Sequence, residues 1–182
     1  NQAMTGGAIF AYGLSSPDLV ENNTIAYNRA AGWGTGIMCR EASMNITNNI
    51  IWANMQTTSS GNITSQVCNY DYYYGKPVVM AFNDTQIFTI ERLGLHAWEN
   101  FTEISNFDVD PVFVNPSGFW IADPSNNWFD VWSGTGDYHI APVSPCIDAG
   151  TTTIATGDFD GDARPQGAAR DVGADEIIDE VF

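Results

Sequence analysis

Lysine is nearly missing from this sequence. Lys76 is the sole example, and Arg29, Arg40, Arg92, Arg164 and Arg170 complete a basic set of 6 against 22 acidic residues. The formal net charge of −16 repels phosphate backbones and anionic bilayers, so nucleic acid and membrane surfaces are poor partners. Long apolar runs are also lacking. No stretch of about 18 apolar residues occurs, so no transmembrane helix is expected, and no signal-peptide pattern is visible. The two histidines, His96 and His139, are isolated in the sequence. No zinc-ligand spacing, phosphate loop or Ser-His-Asp arrangement can be assembled, so no catalytic residue is nominated.

Asn, Thr, Ser and Gly are abundant, with β-branched residues between them. Asn and Gly tolerate left-handed backbone angles, which points to short strands joined by tight corners. The 182 residues suffice for one domain with its own core. The strongest internal signal is a repeat. Val20-Glu21-Asn22-Asn23-Thr24-Ile25-Ala26-Tyr27-Asn28 returns 26 residues later as Ile46-Thr47-Asn48-Asn49-Ile50-Ile51-Trp52-Ala53-Asn54. Upstream, Gly7-Ala8-Ile9 is echoed by Thr35-Gly36-Ile37. A period in the mid-twenties fits one coil of a β-solenoid, in which each coil buries its inner face against the next. Stacking aligns equivalent residues. Val20 is therefore expected over Ile46 and Ile25 over Ile51, and Asn23 with Asn49, and Asn28 with Asn54, form hydrogen-bonded ladders. A helical reading fails, because the apolar residues alternate or come in short bursts and glycines cluster at Gly6-Gly7 and between Gly32 and Gly36.

After Asn54 the period fades. Residues 65–70 suit a third coil strand, Val78 to Phe82 and Ile87 to Leu95 are apolar bursts, and one of these suits a short helix. The chain divides on this reading into coils over 1–75 and an inserted lobe with a closing module over 76–182, all one structural unit. Cys39 and Cys68 lie close to one coil plus a small insertion apart. They are expected to form a disulfide, leaving Cys146 buried; three buried thiols is the alternative. Asn-x-Ser/Thr acceptor patterns at Asn22, Asn45, Asn62, Asn83 and Asn100 suggest a glycosylated extracellular protein carrying N-linked glycans. Asn62, Asn83 and Asn100 are the foremost acceptors, Asn45 should point outward, and Asn22 competes with a corner ladder.

A set of motifs follows. Asp110-Pro111-Val112-Phe113-Val114-Asn115-Pro116 leads to Gly136-Asp137-Tyr138-His139-Ile140. Then come Ser144-Pro145-Cys146-Ile147-Asp148-Ala149-Gly150, Asp158-Phe159-Asp160-Gly161-Asp162-Ala163-Arg164-Pro165 and Asp171-Val172-Gly173-Ala174-Asp175-Glu176. In this order they resemble the C-terminal closing region of pectin-lyase-like right-handed parallel β-helix surface proteins. The resemblance implies an all-β chain: a short right-handed parallel β-helix with an irregular C-terminal closing module, held outside the cell or at its surface. Residues 118–135 interrupt the usual spacing. Some members of that superfamily cleave acidic polysaccharides with Ca²⁺, but no matching constellation is readable here.

Asp158, Asp160 and Asp162 place carboxylates at every second position around Gly161. Such spacing suits a hard cation such as Ca²⁺; alternatively they cap turns and pair with Arg164 or Arg170. Tyr70, Tyr72, Tyr73 and Tyr74, with Trp120, Trp128 and Trp132, either stack on sugar rings or pack the solenoid side. Two functions remain. The first is a structural surface-assembly protein. Its N-terminal coil has no capping element before Gly6, so missing coils or another copy would cover it, head to tail, and another copy there would build a filament or layer. The second is a polysaccharide-binding or polysaccharide-degrading module.

Overall fold

The corners of this chain recur at fixed intervals because left-handed residues recur there. In the computed structural model, residues 2–13, 15–56, 66–86, 91–97, 99–122 and 130–178 are described. Asn22, Asn48, Phe82 and Ser105 all have φ between 50° and 55°. Asn accepts that region at little cost, whereas a bulky Phe does not. The residue after each of them is an asparagine, and these four asparagines stack. Asn23 Nδ2 donates to Asn49 Oδ1 at 3.0 Å, Asn49 Nδ2 to Asn83 Oδ1 at 3.0 Å, and Asn83 Nδ2 to Asn106 Oδ1 at 2.8 Å. The backbone N–H of each donor residue reaches the same oxygen. A second ladder runs from Asn28 through Asn54 to Gln66.

Between these corners lie short strands. The first coil holds β1 (Gln2–Ala3), β2 (Ile9–Tyr12), β3 (Asp18–Glu21) and β4 (Thr24–Ala26). The second holds β5 (Arg29–Ala30), β6 (Ile37–Arg40), β7 (Met44–Thr47) and β8 (Ile50–Trp52). The third holds β9 (Met55–Gln56), β10 (Val67–Tyr70), β11 (Val78–Ala81) and β12 (Asp84–Thr85). A partial fourth adds β13 (Glu91–Leu93) and β14 (Phe101–Ile104). Equivalent strands pair in parallel, giving four sheets: β1-β5-β9, β2-β6-β10-β13, β3-β7-β11-β14 and β4-β8-β12. The result is an all-β parallel solenoid of about 3 turns, with no helix among the described residues. The parallel stack therefore continues past residue 75, and the apolar burst ending at Leu95 contributes strand β13 where a short helix was one expectation.

Register follows the repeat. Val20 pairs with Ile46, and Ile25 with Ile51. Met80 continues the first row. These residues fill the interior with Ile37, Met44, Val67 and Val78, and each fully buried Ile contributes about 2 kcal/mol relative to exposure. Val67, like Ile9, pairs with Ile37.

The C-terminal part, expected to hold an inserted lobe and a closing module, is tied to the side of the stack. Strand β15 (Phe113–Asn115) pairs antiparallel with β18 (Asp137–Ile140), and β16 (Phe119–Ala122) with β17 (Asp130–Ser133). Beyond β18 the chain lies as an irregular strap against the outer face of β4-β8-β12. Cys146 reaches Asp84 of the third coil, Thr151 and Gly173 reach Asn48 of the second, and Thr153 and Ala174 reach Asn22 and Thr24 of the first. Phe113, Ile140, Cys146 and Val172 form a second core with Ile50.

The last motif is explained residue by residue. Asp171 accepts the N–H groups of Asp148 and Ile177. Val172 fills the second core. Gly173 has φ +108°, and a Cβ there would meet Ile50 Cδ1 at 2.6 Å, so a side chain is excluded both by angle and by space. Asp175 accepts Ile140 N–H, and Glu176 pairs with Arg164.

Candidate functional site

Three expected features resolve differently in three dimensions. Cys39 and Cys68 are free thiols, as is Cys146. Cys39 pairs with Asn69, and Cys68 with Met38. The register is one residue off, and side chains alternate across a sheet, so the two sulfurs face opposite sides and the expected disulfide is not formed. Cys39 lies in the interior core, where burial pushes its thiol up to about 12.

Among the sequons, Asn83 is a buried ladder rung whose amide donates to Ile46 O and Asn106 Oδ1. It has no room for a glycan, and the expectation of sugar there is corrected. Asn22 holds the strap: its Oδ1 accepts from Thr153 at 2.6 Å, and its Nδ2 reaches Asp171 O. Asn45 is half-buried on β7 beside Leu19, and half-buried Asn100 donates to His96 O. Asn62 lies outside the described residues.

Asp158, Asp160 and Asp162 do not share one task. Asp158 Oδ1 accepts the N–H groups of Asp160, Gly161 and Asp162 at 2.8–3.0 Å, and its Oδ2 accepts Glu176 N–H. It caps the loop. Asp160 turns away to His139, whose Nε2 lies 2.7 Å from Asp160 Oδ2. Asp137 engages His139 Nδ1. Hydrogen bonds donated to Asp137 and then Asp160 hold the imidazole pKa up at about 9, so with both nitrogens engaged this histidine is no general base at neutral pH.

Asp84 and Cys146 join stack to strap. Cys146 Sγ donates to Asp84 Oδ2 at 3.3 Å, and Val109 N–H to Oδ1 at 3.2 Å. Burial raises the Asp84 carboxyl from 3.8 to about 7, aided by the charges of Asp108 and Asp110. Burial also raises the Cys146 thiol, so it is no nucleophile. The folded chain binds the Asp84 proton more tightly than the unfolded chain does. The resulting stability is fully present below about pH 4 and is lost as pH rises through about 7. Asp171, raised to about 6 mainly by burial, acts in the same sense. Asp84→Asn is expected to stabilise the chain by on the order of 2 kcal/mol at pH 8 and by little at pH 4. Urea unfolding at both pH values measures this; an equal effect at both would contradict it.

The feature suited to a ligand is the outer face of β2-β6-β10. Tyr12, Arg40 and Tyr70 stand side by side in register. The Arg40 guanidinium carbon lies 5.5 Å from the Tyr12 ring centroid and 5.3 Å from that of Tyr70. Arg40 is exposed and makes no ion pair among the described residues. A hollow of about 150 Å³ on one side is lined by Thr5, Phe10, Trp33, Met38, Arg40 and Tyr70. Another, of about 240 Å³, is lined by Tyr12, Gly13, Ser15, Glu41, Tyr74 and Lys76.

The tyrosine loop beside it is fixed by two buried carboxylates. Glu41 accepts the N–H groups of Tyr72 and Tyr73, and Asp71 those of Tyr74, Gly75 and Lys76. Tyr73 and Tyr74 project outward, 71% and 68% exposed. Of the aromatics nominated from sequence, Tyr70 and Tyr74 line these hollows. Trp120 and Trp132 pair in register across β16–β17, and Trp128 lies outside the described residues. Sequence reasoning missed Phe10, Tyr12, Trp33 and Arg40. Alternation along β2 and β6 was the available signal. No family model, curated protein or solved structure matches this chain.

Proposed function

We propose that this chain is an extracellular polysaccharide-binding module of pectin-lyase-like type, and that the face of β2-β6-β10 holds an acidic glycan. The observation that carries this reading is Arg40, an exposed cation without an ion-pair partner among the described residues, held between two tyrosine rings on a chain of net charge −16. Flat aromatic faces suit the apolar faces of sugar rings, and a guanidinium suits a carboxylate through paired hydrogen bonds. Lys76, 5.9 Å from the Tyr74 ring centroid, supplies a second cation. Ordering of the tyrosine loop by Glu41 and Asp71 lowers the cost of binding. Acceptor patterns at Asn45 and Asn100 would suit an extracellular setting.

Affinity electrophoresis through gels containing polygalacturonate, and through gels containing a neutral glucan, tests the reading. Retardation is expected in the acidic gel. Arg40→Ala combined with Tyr12→Ala should weaken it at least about tenfold, a change of about 1.4 kcal/mol. Both residues are exposed, so the fold should survive. Retardation in neither gel, or equal retardation of the double variant, would overturn the proposal.

A second reading, a surface assembly, draws on the other edge of the stack. Strands β1 to β4 are edge strands in their sheets. Asn23 donates down its ladder, while its own Oδ1 accepts nothing among the described residues. A further coil, from another copy or from a preceding segment, fits that edge. Light scattering across a dilution series distinguishes the two readings: a concentration-dependent rise in mass supports assembly, and a constant 19.8 kDa opposes association between copies.

A further inference from the structure

We infer that His139, Asp160 and Asp175 form a binding site for a divalent transition-metal ion, Zn²⁺ being the best fit. One ligand atom from each of the three lies within 4.8 Å of the others. They come from three separate segments: β18, the loop around Gly161, and the final motif. None of the expected carboxylate triad except Asp160 takes part.

Three observations point to a metal beyond mere crowding of acids. First, a nitrogen ligand is present, and its orientation is set. Asp137 Oδ1 accepts the backbone N–H of His139 and also engages ring Nδ1. That leaves Nε2 directed toward Asp160. A carboxylate on one imidazole nitrogen with the metal on the other is a recurrent second-shell arrangement that fixes the ring direction, and metal binding would release the Nε2 proton now given to Asp160. Second, the ring is held from the side by Phe159, with centroids 4.7 Å apart. Third, Asp175 is a carboxylate only 6% exposed, and it makes no ion pair among the described residues. Its Oδ2 accepts Ile140 N–H and the charged His139 ring stands nearby; a metal ion held by both side chains would meet the same buried charge.

The donor set selects the ion. Imidazole nitrogen with two carboxylates suits Zn²⁺, whereas Ca²⁺ needs six or more oxygens and the three protein ligands here supply too few. Ligands bonded at about 2.0–2.2 Å to a tetrahedral Zn²⁺ stand roughly 3.3–3.6 Å apart, so His139 Nε2 and Asp160 Oδ2, now 2.7 Å apart, part slightly, while the three ligand atoms all lie within 4.8 Å. Small side-chain movements of His139 and Asp160 allow this, and both are partly exposed, at 39% and 49%. Three protein ligands leave a fourth position for water. The ion would tie β18 to the strap.

The test is calorimetric titration of the chelator-treated full chain with ZnCl₂, with CaCl₂ in parallel, and titration with CoCl₂ followed by visible absorption. One strong Zn²⁺ site per chain is expected, with the intense d–d bands of low-coordinate Co²⁺. His139→Gln and Asp160→Asn should abolish both signals. Asp137→Asn should weaken Zn²⁺ binding about 10–100-fold. All three altered side chains are partly exposed, and circular dichroism verifies that each variant is folded. Zn²⁺ binding no tighter than that of Ca²⁺, or a stoichiometric site that persists in folded His139→Gln, would refute the site.

Discussion

Arg164→Ala is expected to cost about 3–5 kcal/mol, because it leaves a carboxylate buried without its partner. The Arg164 and Glu176 side chains are both 0% exposed, with Nη1 3.0 Å from Oε2. The same guanidinium donates to the carbonyls of Asp171, Gly173 and Asp175 at 3.0–3.2 Å. Truncation strands the carbonyls of Gly173 and Asp175 and leaves that of Asp171 to Asn22 Nδ2 at 3.4 Å. Glu176 keeps only the N–H groups of Gln166 and Asp171, which is too little to hold a buried charge. Lysine cannot substitute, since one ammonium cannot reach acceptors spread around a planar fork. Replacing both partners by apolar residues should be milder than removing Arg164 alone. Denaturant unfolding of the two single variants and the double variant gives the coupling. Limited proteolysis should locate the new cleavage between residues 156 and 176. A loss below about 1 kcal/mol for Arg164→Ala would mean that the pair is not what fastens the strap.

Asn49→Ala is the second large effect, about 3 kcal/mol. Asn49 is fully buried, and its Nδ2 donates to Val20 O, Thr47 O and Asn83 Oδ1 while its Oδ1 accepts from both nitrogens of Asn23. Removing the amide leaves several of these groups unpaired where water is excluded. Asn49→Asp separates the donor role from the acceptor role. The carboxylate still accepts from Asn23, but it faces three oxygens and should be worse than alanine at neutral pH. Asn23→Ala, at the end of the ladder, should lose only about 1 kcal/mol. Thermal melts of the four proteins rank them. Equal losses at the ladder's end and middle would argue that each rung acts alone.

How far the fold could be read depended on coil length. Coils one and two differ by 26 residues at the ladder, so Val20 over Ile46 and Ile25 over Ile51 were legible as a repeat. The next rung comes 34 residues on and the last 23, which hides the period. Identity is hidden as well: only the second position of each Asn-Asn pair persists, as Phe82-Asn83 and Ser105-Asn106. The left-handed corner tolerates substitution, but the ladder position does not. The cysteine expectation failed by one residue of register, which reverses a side chain's face. Asn83 shows a different limit, since a sequon and a ladder rung share one spelling. The His139 cluster was out of reach, because residues 139, 160 and 175 are brought together only by the strap's path. The Arg40 platform needed strand register before Tyr12 and Tyr70 could be placed beside it.

The strap's route has a consequence in time. Its partners in the first two coils lie 103 to 150 residues earlier in the chain. At a synthesis rate of roughly 5–20 residues per second, the first corner waits roughly 8–30 s for its partner. Local stacking of one coil on the next needs no such wait. During that interval the flank formed by Ile50 and Trp52 is bare, and the amide of Asn48 has only solvent. A ribosome-bound or translocating intermediate therefore carries a sticky stripe along one side, and that stripe disappears only when the segment around Val172 arrives.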